Sequence, residues 1–197
     1  QIAMIEKVKS ITNKDYEIRR SEFVGPVVGD ELKTAGMLAV GLALISIMVY
    51  IWFRFEWQFS IAAIIALTHD VVTTVGLFSI LQLEFNLATI AAILTTAGYS
   101  INDTVVVFDR IRENIVKTEI AFSELLNLSI SQTMARTIMT SLTTLLALLA
   151  LFVFGGEVVR GFVSAMIWGV LVGRYSSIFI ASPLIILLGF VKEKKNQ

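Results

Sequence analysis

Two aspartates (Asp70 and Asp103), the single histidine (His69) and one arginine (Arg174) stand inside long runs of apolar residues. An ionisable side chain at bilayer depth costs about 2.5–3.5 kcal/mol even on the lenient insertion scale, so each of these groups asks for a function or a partner. Asp70, Thr73 and Thr74 are spaced to share one helical face. His69 is rotated about 100° from Asp70 and need not act with it. Asp70 reads either as a carboxylate that carries or gates a proton, or as a structural aspartate bonded to a neighbouring helix. His69 alone reads as a packing residue.

A second set follows the same logic. Thr96, Tyr99, Asp103 and Val106 run along one helical face with Thr95 and Asn102 beside them, and the stripe leads to Asp109, Arg110, Arg112 and Glu113. That charged end is either a solvated cluster or a coupling motif. Further on, Thr137, Thr140, Ser141 and Thr144 have the spacing of hydroxyls that bond their own backbone or an adjacent helix, which is glue rather than a pathway. Gly161, Ala165, Gly169, Gly173, Ser177 and Ala181 recur at strict intervals of four, a ladder that lets another helix approach closely. Arg174 lies beside this ladder near mid-span and needs a carboxylate or an aqueous cavity; Asp70, at similar depth, is a candidate partner.

The elements that must position these residues are membrane helices. Of 197 residues, 56% are hydrophobic and 16% charged, and the mean hydropathy is +0.79; a soluble domain has about 45–50% and 25%. Apolar segments fall at about 35–53, 59–81, 86–108, 137–154 and 161–189, the last holding Pro183 and an expected kink near it. Residues 1–34 are polar, with strand-like residues at 16–24, and read as the end of an external soluble domain. Residues 191–197 form a basic tail. The stretch 109–136 reads as an amphipathic segment lying on the surface, with Ser123 capping a short helix whose apolar side is Phe122, Leu125, Leu126 and Ile130. The fold class is thus an all-α membrane protein built as a five-helix bundle.

Lys and Arg are asymmetric. Arg54, Arg110, Arg112, Lys117, Arg136, Lys192, Lys194 and Lys195 fall on one side and Arg160 alone in the opposite short loops, which makes the first side cytoplasmic. An odd number of spans with an outside start implies that a preceding span is missing from this sequence. Zero net charge offers no bulk basic field to nucleic acid, and the absence of cysteine, with one histidine, excludes thiolate chemistry and a multi-histidine metal site. No metal and no cofactor are expected. Nucleotide and intramembrane-protease motifs are also lacking.

Several strings resemble one family. Val24-Gly25-Pro26, Gly29 and Glu31-Leu32 come before the first span, followed by Phe53-Arg54-Phe55-Glu56-Trp57 and Ala66-Leu67-x-His69-Asp70. Then come Gly98-Tyr99-Ser100-Ile101-Asn102-Asp103-Thr104-Val105-Val106-Val107-Phe108-Asp109-Arg110-Ile111-Arg112-Glu113-Asn114, Arg136-Thr137, Phe154-Gly155-Gly156, and Tyr175-Ser176-Ser177 through Pro183. Together they resemble the SecF family, membrane subunits of the bacterial SecDF protein-export complex in the RND superfamily. The resemblance implies six spans with an α+β periplasmic domain between the first two, so that this sequence holds a short remnant of that domain and five spans. It also implies pairing with SecD, cooperation with the SecYEG channel and YajC, and use of the proton-motive force to draw exported preproteins across the inner membrane. Carried over by position, Asp70, Asn102 and Asp103 are the proton-coupling groups, and Asp109, Arg110 and Arg112 fall in the cytoplasmic motif. Arg174 departs from the pattern, which usually has a small or hydroxyl residue, often Thr, at that place. A small-molecule exporter of the same superfamily and a purely structural subunit are the alternative readings.

Overall fold

A computed structural model describes residues 26–82 and 86–189. The expected strand-like stretch at 16–24 and the basic tail at 191–197 lie outside the described residues. Contacts divide the chain into Gln1–Met37 and Leu38–Gln197; the account below concerns the second unit.

The helices are α1 (Pro26–Arg54), α2 (Trp57–Ile80), α3 (Leu87–Lys117), α4 (Phe122–Phe154), α5 (Glu157–Ser176) and α6 (Ser182–Leu187), with a π-helical turn at Ser177–Ala181 joining the last two. Five stretches are long and apolar enough to cross a membrane: Thr34–Arg54, Trp57–Ile80, Ala88–Lys117, Phe122–Phe154 and Val159–Leu187. The chain is an all-α membrane bundle. Local chemistry sets the boundaries. Asn86 caps α3: its Oδ1 accepts from the Thr89 N–H at 3.1 Å, while the Asn86 N–H donates to the Thr89 hydroxyl at 3.2 Å. Between α4 and α5 the chain turns on Gly156, whose φ of 75° is a left-handed conformation that glycine adopts without a Cβ clash.

Two expectations are corrected. The stretch 109–136 is not a separate surface-lying segment. Residues 109–117 continue α3, four residues make the turn, and Phe122 opens a helix that runs unbroken to Phe154. Charge pairs one turn apart, Arg110–Glu113 and Glu113–Lys117, both at 2.5 Å, favour helix beyond the apolar run. Leu125 and Leu126 are buried against Ile111, which anchors the start of α4. The N-cap there is Ala121, with no side-chain cap, rather than Ser123. Near Pro183 the chain takes a π-helical turn just ahead of the proline, and the Ser182 hydroxyl donates to the Ser177 carbonyl at 2.9 Å.

α3 packs against α2, α4 and α5, most extensively against α5. The large apolar side chains gather at the two ends of the bundle. Ile51, Phe55, Phe59, Phe108, Ile111, Leu125 and Ile185 form one cluster, in which Phe108 meets Phe55 and Phe59 edge-on with centroids 5.8 and 5.2 Å apart. Leu148, Val163, Met166 and Val170 form another. Between them the α2–α3–α5 interface is small and polar: Thr74, Thr96, Ser100, Thr104, Ser176 and Ser177 are all buried. Outward, α4 shows Leu142, Leu146, Leu149 and Val153, a surface suited to hydrocarbon.

The glycines of the ladder explain the close approach of α5 to α3. A Cβ on Gly169 would overlap the Thr96 side chain, and one on Gly173 would stand 2.9 Å from the Ser100 Cβ. Gly161 has open space. Gly169→Ala should therefore destabilise the bundle by about 1–3 kcal/mol, as overpacking does, while Gly161→Ala leaves it unchanged; thermal unfolding of the purified protein in detergent checks both.

Candidate intramembrane charge site

Asp70, on α2, has no exposed surface. A carboxylate in that position must receive hydrogen-bond donors or lose its charge. Its Oδ2 accepts from the Ser100 hydroxyl of α3, and from the Ser176 hydroxyl of α5 at 2.7 Å. Its Oδ1 lies 3.0 Å from Nδ1 of His69. One carboxylate thus joins three helices. Thr73 and Thr74, which share its helical face, donate to the Asp70 backbone carbonyl at 3.1 and 2.7 Å and leave the carboxylate to the other helices. The expectation that His69 and Asp70 need not pair is corrected: the 100° between their Cα positions is closed by the reach of the side chains.

Asp103 occupies a different environment one turn along α3. Arg174 Nε of α5 stands 3.4 Å from its Oδ2, and Arg174 Nη2 donates to the Ser141 hydroxyl of α4. Arg174 Nε and Nη1 are buried without a hydrogen-bond partner among the described residues. The Nε–Oδ2 approach is therefore a charge contact that lacks hydrogen-bond alignment. The partner of Arg174 is Asp103 and not Asp70. One turn beyond Ser100 on α3, the Thr104 and Ser177 hydroxyls meet at 2.8 Å, which extends the polar seam along the α3–α5 contact.

Asn102 is exposed on the outer face of α3 and bonds neither carboxylate. On α4, Thr137, Thr140, Thr143 and Thr144 donate to carbonyls of their own helix, as the spacing predicts, and Tyr99 donates to Thr144 at 3.3 Å. The charged end of α3 is a clamp. Asp109 pairs with Arg54 of α1 at 2.7 Å, Arg112 donates to the Arg54 carbonyl at 3.2 Å, and both guanidinium groups lie over the Phe55 ring. Arg110 donates to Gln132 of α4 at 2.7 Å. The buried Asn114 donates to Ser129 and Gln132 at 2.9 and 2.8 Å.

Sequence reasoning missed Ser100, Ser176 and Ser141 as partners of the charged groups, and missed Asn114. The available signal was hydroxyl residues at the depth of an intramembrane charge. Nothing in the spacing says which charge each one serves.

A bundle of apolar helices with one carboxylate bound by hydroxyls and another held by an arginine in its middle defines a membrane protein whose central interface is ionisable. The chain belongs to a family of this kind: residues 3–191 match the family model for the C-terminal region of the protein export membrane proteins SecD and SecF. Among curated relatives, the protein translocase subunit SecF of Rhodobacter capsulatus is 47% identical over 194 residues, covering 98% of this chain and 58% of the relative. The subunit of the same name from Cereibacter sphaeroides is 49% identical over 190 residues, covering 96% and 59%. The chain thus spans somewhat more than half the length of these relatives. Among solved structures, the crystal structure of SecDF from Thermus thermophilus, described as a translocon-associated membrane protein, superimposes with a TM-score of 0.80 at 50% identity, covering 84% of this chain and 23% of that one. A SecDF structure in a super-membrane-facing form gives 0.72 at 47% identity, covering 84% and 22%.

Asp103→Asn leaves the Arg174 guanidinium without its counter-charge and should cost about 3 kcal/mol, the lower end for a broken buried pair. The double variant Asp103→Asn/Arg174→Thr should recover most of that loss. Denaturant unfolding of the four members of the cycle in detergent measures the coupling.

Proposed function

We propose that this chain works as part of a SecF-type subunit that pairs with SecD in the bacterial cytoplasmic (inner) membrane and uses the proton-motive force to promote export of preproteins through the SecYEG channel, with YajC as a further associate. The observation that carries the reading is the Asp70 carboxylate, buried completely and bonded at once to α2, α3 and α5. Protonation removes the charge that the Ser100 and Ser176 hydroxyls solvate, so their hydrogen bonds weaken from charge-assisted to neutral. The two packings of the three helices then change in relative stability, and the shift moves the external domain. Asp103, held by Arg174, is the second proton-coupling group, and Asn102 lies on the face turned to the partner.

The energy suffices. A proton gains about 2.3 kcal/mol per 100 mV and about 1.4 kcal/mol per pH unit, against about 5.5 kcal/mol to move an equilibrium from 1:99 to 99:1. No covalent step on the exported protein is required, so the subunit is a transducer and not an enzyme. In this reading Arg54, Asp109, Arg110 and Arg112 lie at the cytoplasmic surface, with the N-terminal segment on the periplasmic side. Ala91, Thr95, Gly98 and Asn102 are exposed along one face of α3. These small and polar residues suit a second helix bundle better than lipid, which supports SecD as the neighbour on that face.

Asp70→Asn keeps the shape of the site and removes its titration. In sealed vesicles carrying the complete export complex at matched subunit levels, this variant should assemble yet lose the gradient-dependent component of protein release. Full retention of that component moves the coupling site to Asp103 or to the partner subunit, and leaves Asp70 the structural role.

A further inference from the structure

Asp70 cannot meet a proton from solution directly. Its Oδ2 is covered by the Ser100 and Ser176 hydroxyls, themselves 2% and 0% exposed, and Ser176 also contacts the Gly173 carbonyl at 3.1 Å. The remaining oxygen, Oδ1, touches His69 Nδ1, and the His69 side chain keeps 33% of its surface exposed. Of the three groups that contact this carboxylate, the imidazole alone has substantial access to the outside. His69 is twelve residues from Trp57 and eleven from Ile80, the first and last residues of α2, so it stands about 16–18 Å from either end at 1.5 Å per residue. A polar ring one-third exposed at that depth is costly against hydrocarbon.

We infer that His69 is the port through which Asp70 exchanges its proton, a positioning and relay residue that deepens the coupling role proposed for Asp70 and rests on it. A proton from the aqueous side binds Nε2 and gives an imidazolium. The Nδ1–H bond then breaks as an O–H bond forms at Asp70 Oδ1, so imidazolium and carboxylate become neutral imidazole and neutral carboxyl. Unloading is the reverse. The groups facing the ring are Asp70 on its own helix and Tyr175 on α5, whose ring centroid lies 6.4 Å away and is itself 5.2 Å from Phe179. The tyrosine and phenylalanine frame the ring without offering Nδ1 a competing acceptor. Histidine suits the task because its two nitrogens can take a proton on one side and give one up on the other.

The test uses the complete complex in sealed vesicles and reads the gradient-dependent rate of protein release per assembled subunit. In His69→Asn the amide nitrogen stands close to the place of Nδ1 and still donates to Asp70, but it cannot pass a proton on. The rate should fall about 10²-fold, the lower end of the range for a general acid–base group. In His69→Gly, added imidazole should restore a large part of the lost rate, an effect that a packing role does not produce. Native rate in His69→Asn, no response of His69→Gly to imidazole, or failure of His69→Asn to assemble although its hydrogen bond is kept would each overturn the relay. The two proposals fail separately: full gradient dependence in Asp70→Asn removes the coupling role and the relay with it, whereas its loss there alongside an unimpaired His69→Asn removes the relay alone.

Discussion

A carboxylate without access to solvent has to be solvated by the protein, and in this bundle that requirement sets the spacing of three helices. Asp70 needs donors, the donors are the short side chains of Ser100 and Ser176, and a serine hydroxyl reaches only a few ångströms from its backbone. α2, α3 and α5 must therefore lie unusually close at this level. The closeness in turn requires residues without bulk: Gly169 meets Thr96 and Gly173 meets Ser100. The small-residue ladder and the buried aspartate are two sides of one constraint. In lipid, where apolar burial drives no association between helices, such contacts and the dispersion they permit hold the interface together.

The two intramembrane carboxylates are solvated by opposite means. Asp70 is surrounded by neutral hydroxyls and one imidazole, so its charge is stabilised by oriented dipoles. Asp103 is held by the full charge of Arg174 at 3.4 Å, in a contact that leaves two guanidinium nitrogens without hydrogen-bond partners among the described residues. A hydroxyl shell tolerates either charge state of its carboxyl, since a serine can donate or accept. A guanidinium only donates, so it offers the carboxyl no acceptor. The two sites are thus unequal members of the same seam, and Arg174 is the residue that makes them so.

Hydropathy alone identifies the five spans, because a bilayer demands a length and an apolarity that few other structures need. The ladder is equally plain, since its interval of four is the helical repeat. Partner choice was not legible. Counting along the helices places Arg174 and Asp70 at one depth, yet depth does not give the azimuth at which two helices face each other, and Arg174 turns to Asp103. The same limit hid Ser176, which lies 106 residues from the carboxylate it serves. The roughly 100° between the Cα directions of His69 and Asp70 does not keep them apart, because the side chains are long enough to close it. The stretch 109–136 misled because its charges read as a break in the spans, when pairing at three and four residues makes them helix-forming.

The bundle is pinned at one end and adjustable in the middle. At the pinned end Phe55, Phe59 and Phe108 interlock while Arg54, Asp109 and Arg112 close over Phe55, so α1 and α3 are fixed to each other by aromatic packing and charge together. The middle is the reverse: few large side chains, short hydroxyls and two carboxylates, held close by Gly169 and Gly173. The α2–α3–α5 seam therefore carries both intramembrane carboxylates, and the aromatic end carries neither.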